Sequence, residues 1–356
     1  MADPRRVDPT FWSGRRVLLT GHTGFKGSWL ALWLRAMGAR VTGLSDVIPT
    51  SPSLFELARV HEELQADVRA DVRDAAAVER AVREARPEIV LHLAAQPLVR
   101  RSFAAPAETF AVNVTGTAHV LDAVRAVGGV GAVVVVTSDK CYAPGPDAHP
   151  ETDPLGGDDP YSASKAAAEL VCAAYRDSYG LPIATARAGN VIGGGDWGAD
   201  RLMPDVLAAA VAGRAVELRN PSAVRPWQHV LNPLAGYLLL AESVAAEPER
   251  FAGGWNFGPA PDDALPVRAL VERVGELWDD AGLDVAVQPG EHPPEAPTLR
   301  LDSAKARAEL GWRPAWSLDD GLRAIVEWTR AHAAGEDLHE VTLAQIDAYG
   351  RASAPA

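Results

Sequence analysis

Arg16 to Gly27 reads RVLLTGHTGFKG. RVLLT has the apolar run of a buried strand, and Gly21, Gly24 and Gly27 then punctuate a turn. FKGSWLALWLRAMG follows with a helical pattern that closes at Gly38. Glycines at this spacing let the backbone turn tightly and approach a pyrophosphate lying against the helix N-terminus. Three glycines alone are common in turns. Their place between a first strand and a first helix is what gives them weight.

The same rhythm continues outward from this stretch. RVTGL (40–44) reads as the second strand, AAAVERAVREAR as an amphipathic helix and EIVLHLA (88–94) as a buried strand. PAETFAVNVTGTAHVLDAVRAVG predicts one long helix, VVVVTS another strand, Tyr161 to about Tyr179 a helix, and PIATARAG a strand. Strands alternating with helices predict an α/β fold, a Rossmann-type doubly wound parallel sheet with helices on both faces. Beyond about Val191 the pattern loosens, with denser Pro and Gly and clear helices only at PVRALVERVGELWDDAG and SLDDGLRAIVEWTRAHAAG. We expect residues 1–190 to form a dinucleotide-binding domain, to which some later segments return. Residues 191–356 are expected to form a smaller, mixed C-terminal portion over the strand ends, where such sheets bind ligands.

The chain has 356 residues, 47% hydrophobic and 23% charged, which is a folded globular composition. A formal charge of -13 argues against a nucleic-acid surface or a basic membrane contact. Cys141 and Cys172 have neither metal-ligand spacing nor a disulfide framework, and no metal site is expected. MADPRRVDPTFWSGRR lacks the apolar core of a secretory signal, and no run approaches the roughly 20 apolar residues of a membrane helix. A cytoplasmic protein is the expectation.

The second strand ends in Gly43-Leu44-Ser45-Asp46, where an adenosine ribose should sit. An acid there favours a free 2′-hydroxyl and hence NAD over NADP. Asp46 fits, or Ser45 if the register falls one residue earlier. Asp71 and Val72, after the third strand, suit the adenine edge. Lys26 reads as a solvated residue of the first helical turn, with a phosphate contact as the less favoured alternative.

Tyr161 and Lys165 lie four apart on one helix face, with Pro160 as the break before them. A nearby ammonium and a nicotinamide's positive charge should lower the phenol's pKa, so that Tyr161 can act as a base. In VVVVTSDKCY (133–142) a hydrophobic strand ends in Thr137, Ser138, Asp139 and Lys140. A strand end ordinarily needs only a turn residue.

TGHTGFKG, LHLAAQ, TSDKCY, YSASK and RAGNVIGGGDW, in this order, resemble the extended short-chain dehydrogenase/reductase superfamily, and within it the nucleotide-sugar 4,6-dehydratases. The resemblance runs over nearly the whole chain. It implies cofactor contacts from Gly21, Thr23, Gly24, Phe25, Gly27, Ala94 and Ala95, besides Ser45, Asp46, Asp71, Val72, Tyr161 and Lys165. It also implies that Tyr161 takes the proton of the sugar 4-hydroxyl, that Ser138 (or Thr137) holds the 4-oxygen, that Lys140 is the C5 base and that Asp139 is the acid for the departing 6-hydroxyl. Simple dehydrogenases need a hydroxyl, Tyr and Lys; a dehydratase needs an extra acid and base beside them. The ordinary alternative for Asp139 and Lys140 is a surface ion pair.

Substrate contacts are expected from Thr137, Asn190, Arg201 and Arg225, in a cluster with Arg187, Asp196 and Trp197; Arg225 suits the substrate pyrophosphate. Either arginine of the pair 201 and 225 has the alternative of pairing with an acid. Asn113 should bond backbone near the active site, whereas Trp227, Trp255, His92 and His229 read as structural. The segment between Tyr142 and Tyr161 is shorter than the resemblance implies and lacks its aromatic residues. The helix from Tyr161 is apolar on more than one face, at Ala163, Ala166, Ala167, Ala168, Val171, Ala173 and Ala174, and together with the helix from Pro106 to Val127 it suggests a four-helix homodimer interface. A 4-epimerase or a non-catalytic dinucleotide sensor are the competing readings.

Overall fold

The computed structural model describes residues 5–145, 148–260, 263–278, 283–287 and 300–353. Seven parallel strands form the central sheet: β1 Arg16–Thr20, β2 Arg40–Ser45, β3 Ala66–Arg69, β4 Ile89–His92, β5 Ala132–Val136, β6 Ile183–Arg187 and β7 Gly253–Asn256. Their spatial order is β7-β6-β5-β4-β1-β2-β3, which reverses direction beside β1. Such a switch opens a crevice at the carboxyl ends of the strands. Register brings those ends level: Thr20 faces His92, His92 faces Val135, and Val136 faces Ala186.

The central strands are apolar on both faces because both are covered. Val17, Leu19, Ile89, Leu91 and Val134 point into one core with helices α1 (Phe25–Ala36) and α5 (Leu231–Ala246). Leu18, Val90, Val133 and Val135 point into the other, against α2 (Ala75–Ala85), α3 (Gly116–Val127) and α4 (Pro160–Tyr179). The alternation is the two-residue period of a strand, and each fully buried Val or Leu contributes about 1.5–3 kcal/mol.

Two elements differ from expectation. The single long helix is interrupted: α-helix at Pro106–Phe110, a π turn at Ala111–Thr115, then α3. The π turn presents Asn113, in keeping with the habit of such bulges to mark functional positions. The seventh strand, GGWN, had no readable pattern; it and α5 come from the later half of the chain and join the sheet. The remaining C-terminal elements pack around Met203, Val206, Trp227, Leu270, Val274 and Ile325, beside two-stranded pairs such as Val224–Pro226 with Ala264–Pro266. Residues 279–282 of the helix expected over PVRALVERVGELWDDAG lie outside the described residues; the helix is described over Val267–Trp278.

Candidate active site

The glycine turn is built for close backbone contact. Gly21 has a positive φ of 74°, and a side chain on Gly27 would place its Cβ 2.1 Å from the Gly21 carbonyl oxygen. Gly24 caps α1 without any side-chain acceptor, so the amides of its first turn point outward, as a pyrophosphate requires. Beside it, the Thr23 hydroxyl donates to the Val47 carbonyl (2.7 Å) and can accept from the Ser45 hydroxyl (2.9 Å), engaging Ser45 within the protein. Asp46 is exposed, with one carboxylate oxygen accepting from the Val47 amide at 2.8 Å. The Asp71 carboxylate is held by Arg73, whose guanidinium keeps it below the usual carboxylate range. Val72 is buried against Gly116, and Ala94, with its amide on Thr20 Oγ1 (3.1 Å), backs the turn at Gly21. Ala95 follows, half-buried.

Helix α4 starts where the sequence marks it: Asp159 accepts from the Ser162 amide, Pro160 occupies the first turn and Gly180 ends the helix at φ 66°. This start fixes Tyr161. Its amide donates to Ser102 Oγ (3.1 Å), and its carbonyl accepts from Ser164 Oγ (2.7 Å). Asn113 Nδ2 donates in turn to Ser164 Oγ (2.9 Å) and to the Gln96 carbonyl (3.1 Å), joining the π turn to the helix through the backbone contact expected of it.

Tyr161 and Lys165 are both buried. Burial pushes the Tyr161 phenol up to about 12, aided by Asp139 and opposed by its hydrogen bond with Ser138. The expected lowering is therefore not a property of the protein alone; it needs further positive charge at the phenol. Burial pushes Lys165 down to about 8, and its amine donates to the Val136 carbonyl at 3.2 Å.

After β5 the chain makes a short 3-10 turn, Asp139–Cys141, capped by Ser138. The Ser138 hydroxyl donates to Asp139 Oδ1 (2.8 Å) and accepts from the Lys140 amide (3.2 Å). Asp139 is buried, and a Cβ on Gly189 would stand 1.8 Å from its carboxylate. Asp139 and Lys140 make no ion pair, so the surface-pair alternative does not hold; the half-buried Lys140 side chain has no hydrogen-bond partner among the described residues. Ser138, Asp139 and Tyr161 thus sit together, with Lys165 one helical turn behind.

A second polar cluster lies behind β5, and it corrects one expectation. Arg187 does not stand free in a substrate pocket. Burial opposes its charge, yet Glu169 holds it above its ordinary value through Nε–Oε1 (2.9 Å) and Nη2–Oε2 (2.8 Å) contacts. Glu169 also accepts from the Thr137 and Thr185 hydroxyls, both at 2.6 Å, so the Thr137 hydroxyl proton is committed here. Arg187 donates to Tyr142 OH (2.6 Å), which donates to Asn256 Oδ1 (2.8 Å). The shortened segment docks on this cluster: His149 stacks on Tyr142 at 4.7 Å, and Glu151 accepts from the Asn256 amide.

Arg201 Nη1 pairs with the buried Asp196 (2.9 Å), the acid-pairing alternative. Asn190 adopts a left-handed φ of 49°, and its carbonyl accepts from Gln228. Arg225 lies on the Val224–Pro226 strand and donates to the Val224 carbonyl at 2.9 Å. Trp227 and Trp255 are buried; His92 bridges Thr20 and Thr117, and His229 accepts from the Leu231 amide. Among the described residues no three His, Cys, Asp or Glu side chains converge as metal ligands. Lys26, read as solvated, is instead half-buried beside the charges of Lys165, Asp139, Asp196 and Arg201. Its position between two essential glycines was the available signal.

A parallel sheet with this switch point, an uncapped glycine turn, and a Tyr/Lys helix facing a Ser-Asp-Lys strand end define a nucleotide-sugar-modifying short-chain dehydrogenase. The model of the GDP-mannose 4,6 dehydratase family matches residues 18–325, and the chain belongs to this family of nucleotide-sugar 4,6-dehydratases, which are hydro-lyases. The particular likeness is to CDP-glucose 4,6-dehydratase of Salmonella typhimurium: 47% identity over 362 residues, 96% of this chain and 98% of that one. UDP-glucose 4-epimerase of Mycolicibacterium smegmatis is 30% identical, covering 88% of this chain and 98% of its own. The structure of dTDP-glucose 4,6-dehydratase from Streptomyces venezuelae, solved with NAD bound, superposes with a TM-score of 0.75 at 28% identity, covering 91% of this chain and 99% of that one.

Proposed function

We propose that this enzyme converts CDP-glucose to CDP-4-keto-6-deoxyglucose using NAD held on the glycine turn. The observation that carries the reading is the Asp139-Lys140 pair, set beside Ser138 and Tyr161 yet not joined to each other. Bound NAD would accept hydride from C4 and return it to C6. Gly21, Gly24 and Gly27 would admit its pyrophosphate, and Asp46 its ribose, with Ser45 supporting the turn through Thr23.

Tyr161 takes the proton of the 4-hydroxyl, with Ser138 holding the 4-oxygen. Lys165 and the cofactor's positive charge offset the burial that otherwise keeps the phenol protonated. The 4-ketone then acidifies C5. Lys140 removes that proton, and Asp139 protonates the departing 6-hydroxyl, which leaves as water. Asn190, Arg201 and Arg225 contribute the substrate grip, Arg225 toward the pyrophosphate.

The 4-epimerase reading shares the ketone but has no use for an acid and base that promote elimination. The sensor reading has no use for Tyr161 and Lys165 buried side by side.

The active form is a homodimer. Leu170 is 60% exposed on α4, in line with Ala163, Ala167 and Ala174, and Phe103 (60%) and Phe110 (39%) are exposed on the short helices packed beside it. An apolar face of this kind suits a second copy. Light scattering should give twice the chain mass.

The activity is tested by mass spectrometry of CDP-glucose incubated with enzyme and NAD, with UDP-, dTDP- and GDP-sugars in parallel. Loss of one water from the CDP sugar, without net reduced cofactor, supports the proposal. Loss from another donor alone moves the substrate, and an unchanged mass throughout overturns it.

A further inference from the structure

Lys26 is a cation with which no described residue forms an ion pair. It follows Phe25 in the first turn of α1, between Gly24 and Gly27, and its side chain is half-buried. Two carboxylates lie within its electrostatic reach, Asp139 and Asp196, along with the cations Arg201 and Lys165. Neither carboxylate pairs with Lys26. Asp139 accepts from the Ser138 hydroxyl, and Asp196 accepts from Arg201 and from the Gly198 amide. Lys26 makes no hydrogen bond or ion pair with any described residue. Its surroundings therefore come from three directions: α4 through Lys165, the strand end through Asp139, and the loop before Arg201 through Asp196.

An ammonium withdrawn from water and given no partner is costly unless a ligand completes it. The glycine turn offers only backbone amides to a pyrophosphate, and the charges around Lys26 include Asp139 and Lys165, groups of the proposed reaction centre. The elimination creates a need there. When the C5–H bond breaks, the proton passes to the Lys140 amine and the electron pair spreads onto the 4-ketone oxygen as an enolate. When the C6–O bond breaks, that pair forms the C5–C6 double bond and the oxygen leaves as water with the proton of Asp139. Charge builds on the 4-oxygen between these two events, and a fixed cation is the group that stabilises it.

We propose that Lys26 is a further residue of the reaction centre, a cation that faces the hexose and stabilises the enolate formed when the C5 proton leaves. This rests on the dehydratase reading above. Burial, with Arg201 and Lys165 next, pushes its amine down to about 8, so it is mostly charged at neutral pH and is lost as a cation in mildly alkaline solution.

The test compares wild type, K26M and K26R with CDP-glucose and NAD. Oxidation at C4 precedes the supported step, so slowing elimination makes reduced cofactor accumulate, visible in its near-ultraviolet absorbance. We expect K26M to lose kcat on the order of 10²-fold, with KM little changed and reduced cofactor accumulating. K26R, charged at all working pH values, should keep most of kcat and show an alkaline limb set by one amine, Lys165, in place of two. Cofactor titration of each variant shows that the fold is intact. If K26M keeps kcat within about twofold of wild type, or loses only cofactor affinity and recovers at saturation, the proposal is overturned. If wild type itself removes no water from any donor, the underlying reading fails, and that result is distinct from a wild type that works alongside an equally active K26M.

Discussion

Two polar clusters flank the end of β5, and they are built oppositely. Behind the strand, Glu169 accepts four hydrogen bonds, two from Arg187 and one each from Thr137 and Thr185, and Arg187 continues into Tyr142 and Asn256. Burial pushes Glu169 up, but Arg187 and the hydroxyls outweigh it and hold the carboxyl below its ordinary value. In front of the strand, Asp139 has one donor, the Lys140 and Lys26 amines have no acceptor among the described residues, and Tyr161 and Lys165 are both pushed toward their neutral forms by burial. The saturated cluster is a brace; the unsaturated one has its groups left over for a ligand. Burial is common to both, and hydrogen-bond completion separates them.

The comparison is broken most strongly in front. Tyr161→Phe removes the group proposed to take the 4-hydroxyl proton, and kcat should fall about 10³- to 10⁴-fold with no reduced cofactor formed. Turnover at the wild-type rate would place the base elsewhere. Behind the strand, Glu169→Ala leaves Arg187 buried without its carboxylate, and chemical denaturation should read a loss of about 3–5 kcal/mol. A variant that stayed as stable but lost activity would make Glu169 part of the chemistry and erase the contrast.

Gly189→Ala sharpens the boundary between the clusters. Its Cβ would enter the space of the Asp139 carboxylate, so the acid must move while Tyr161 and Lys165 stay. Elimination should slow about 10²-fold while C4 oxidation persists, seen as accumulated reduced cofactor.

The smallest expected effect lies far from both clusters. Glu242, buried on α5, accepts from Trp12 Nε1 (2.8 Å) and the Asp8 amide (3.0 Å), and burial pushes it up from 4.5 to about 7. The folded state then holds its proton more tightly than the unfolded chain. Its contribution is complete below about pH 4.5 and is lost as pH rises through about 7. Glu242→Gln should remove that dependence, so that wild type loses about 1–3 kcal/mol relative to the variant across the window. Parallel stability curves from denaturation at several pH values would contradict it.

Much of the front cluster was legible because its residues are adjacent in sequence or one helical turn apart. TSDK follows an all-valine strand, and YSASK follows a proline at a helix start. The sheet was legible for the same reason: RVLLT and VVVVT are apolar runs ended by turn residues. The back cluster was not, because Glu169, Arg187, Tyr142 and Asn256 meet only through the tertiary fold. Arg187 was therefore indistinguishable from Arg201 or Arg225 until burial and a partner were seen. GGWN offers no period to read as β7, and the π turn at Asn113 hides inside an unbroken helical pattern. The burial of Lys26 was not legible because the first turn of a helix is ordinarily solvated, whereas here Lys26 is half-buried and its neighbour Phe25 packs against Gly193.

In the proposed mechanism, the Lys140 amine at the end of β5 draws the proton from C5. A single-turnover experiment with Lys140→Ala, CDP-glucose and NAD tests it most directly, following reduced cofactor and product mass together. The account predicts that reduced cofactor forms and persists, with the sugar oxidised at C4 and no water lost. Loss of water at the wild-type rate would contradict it and move the base to another group.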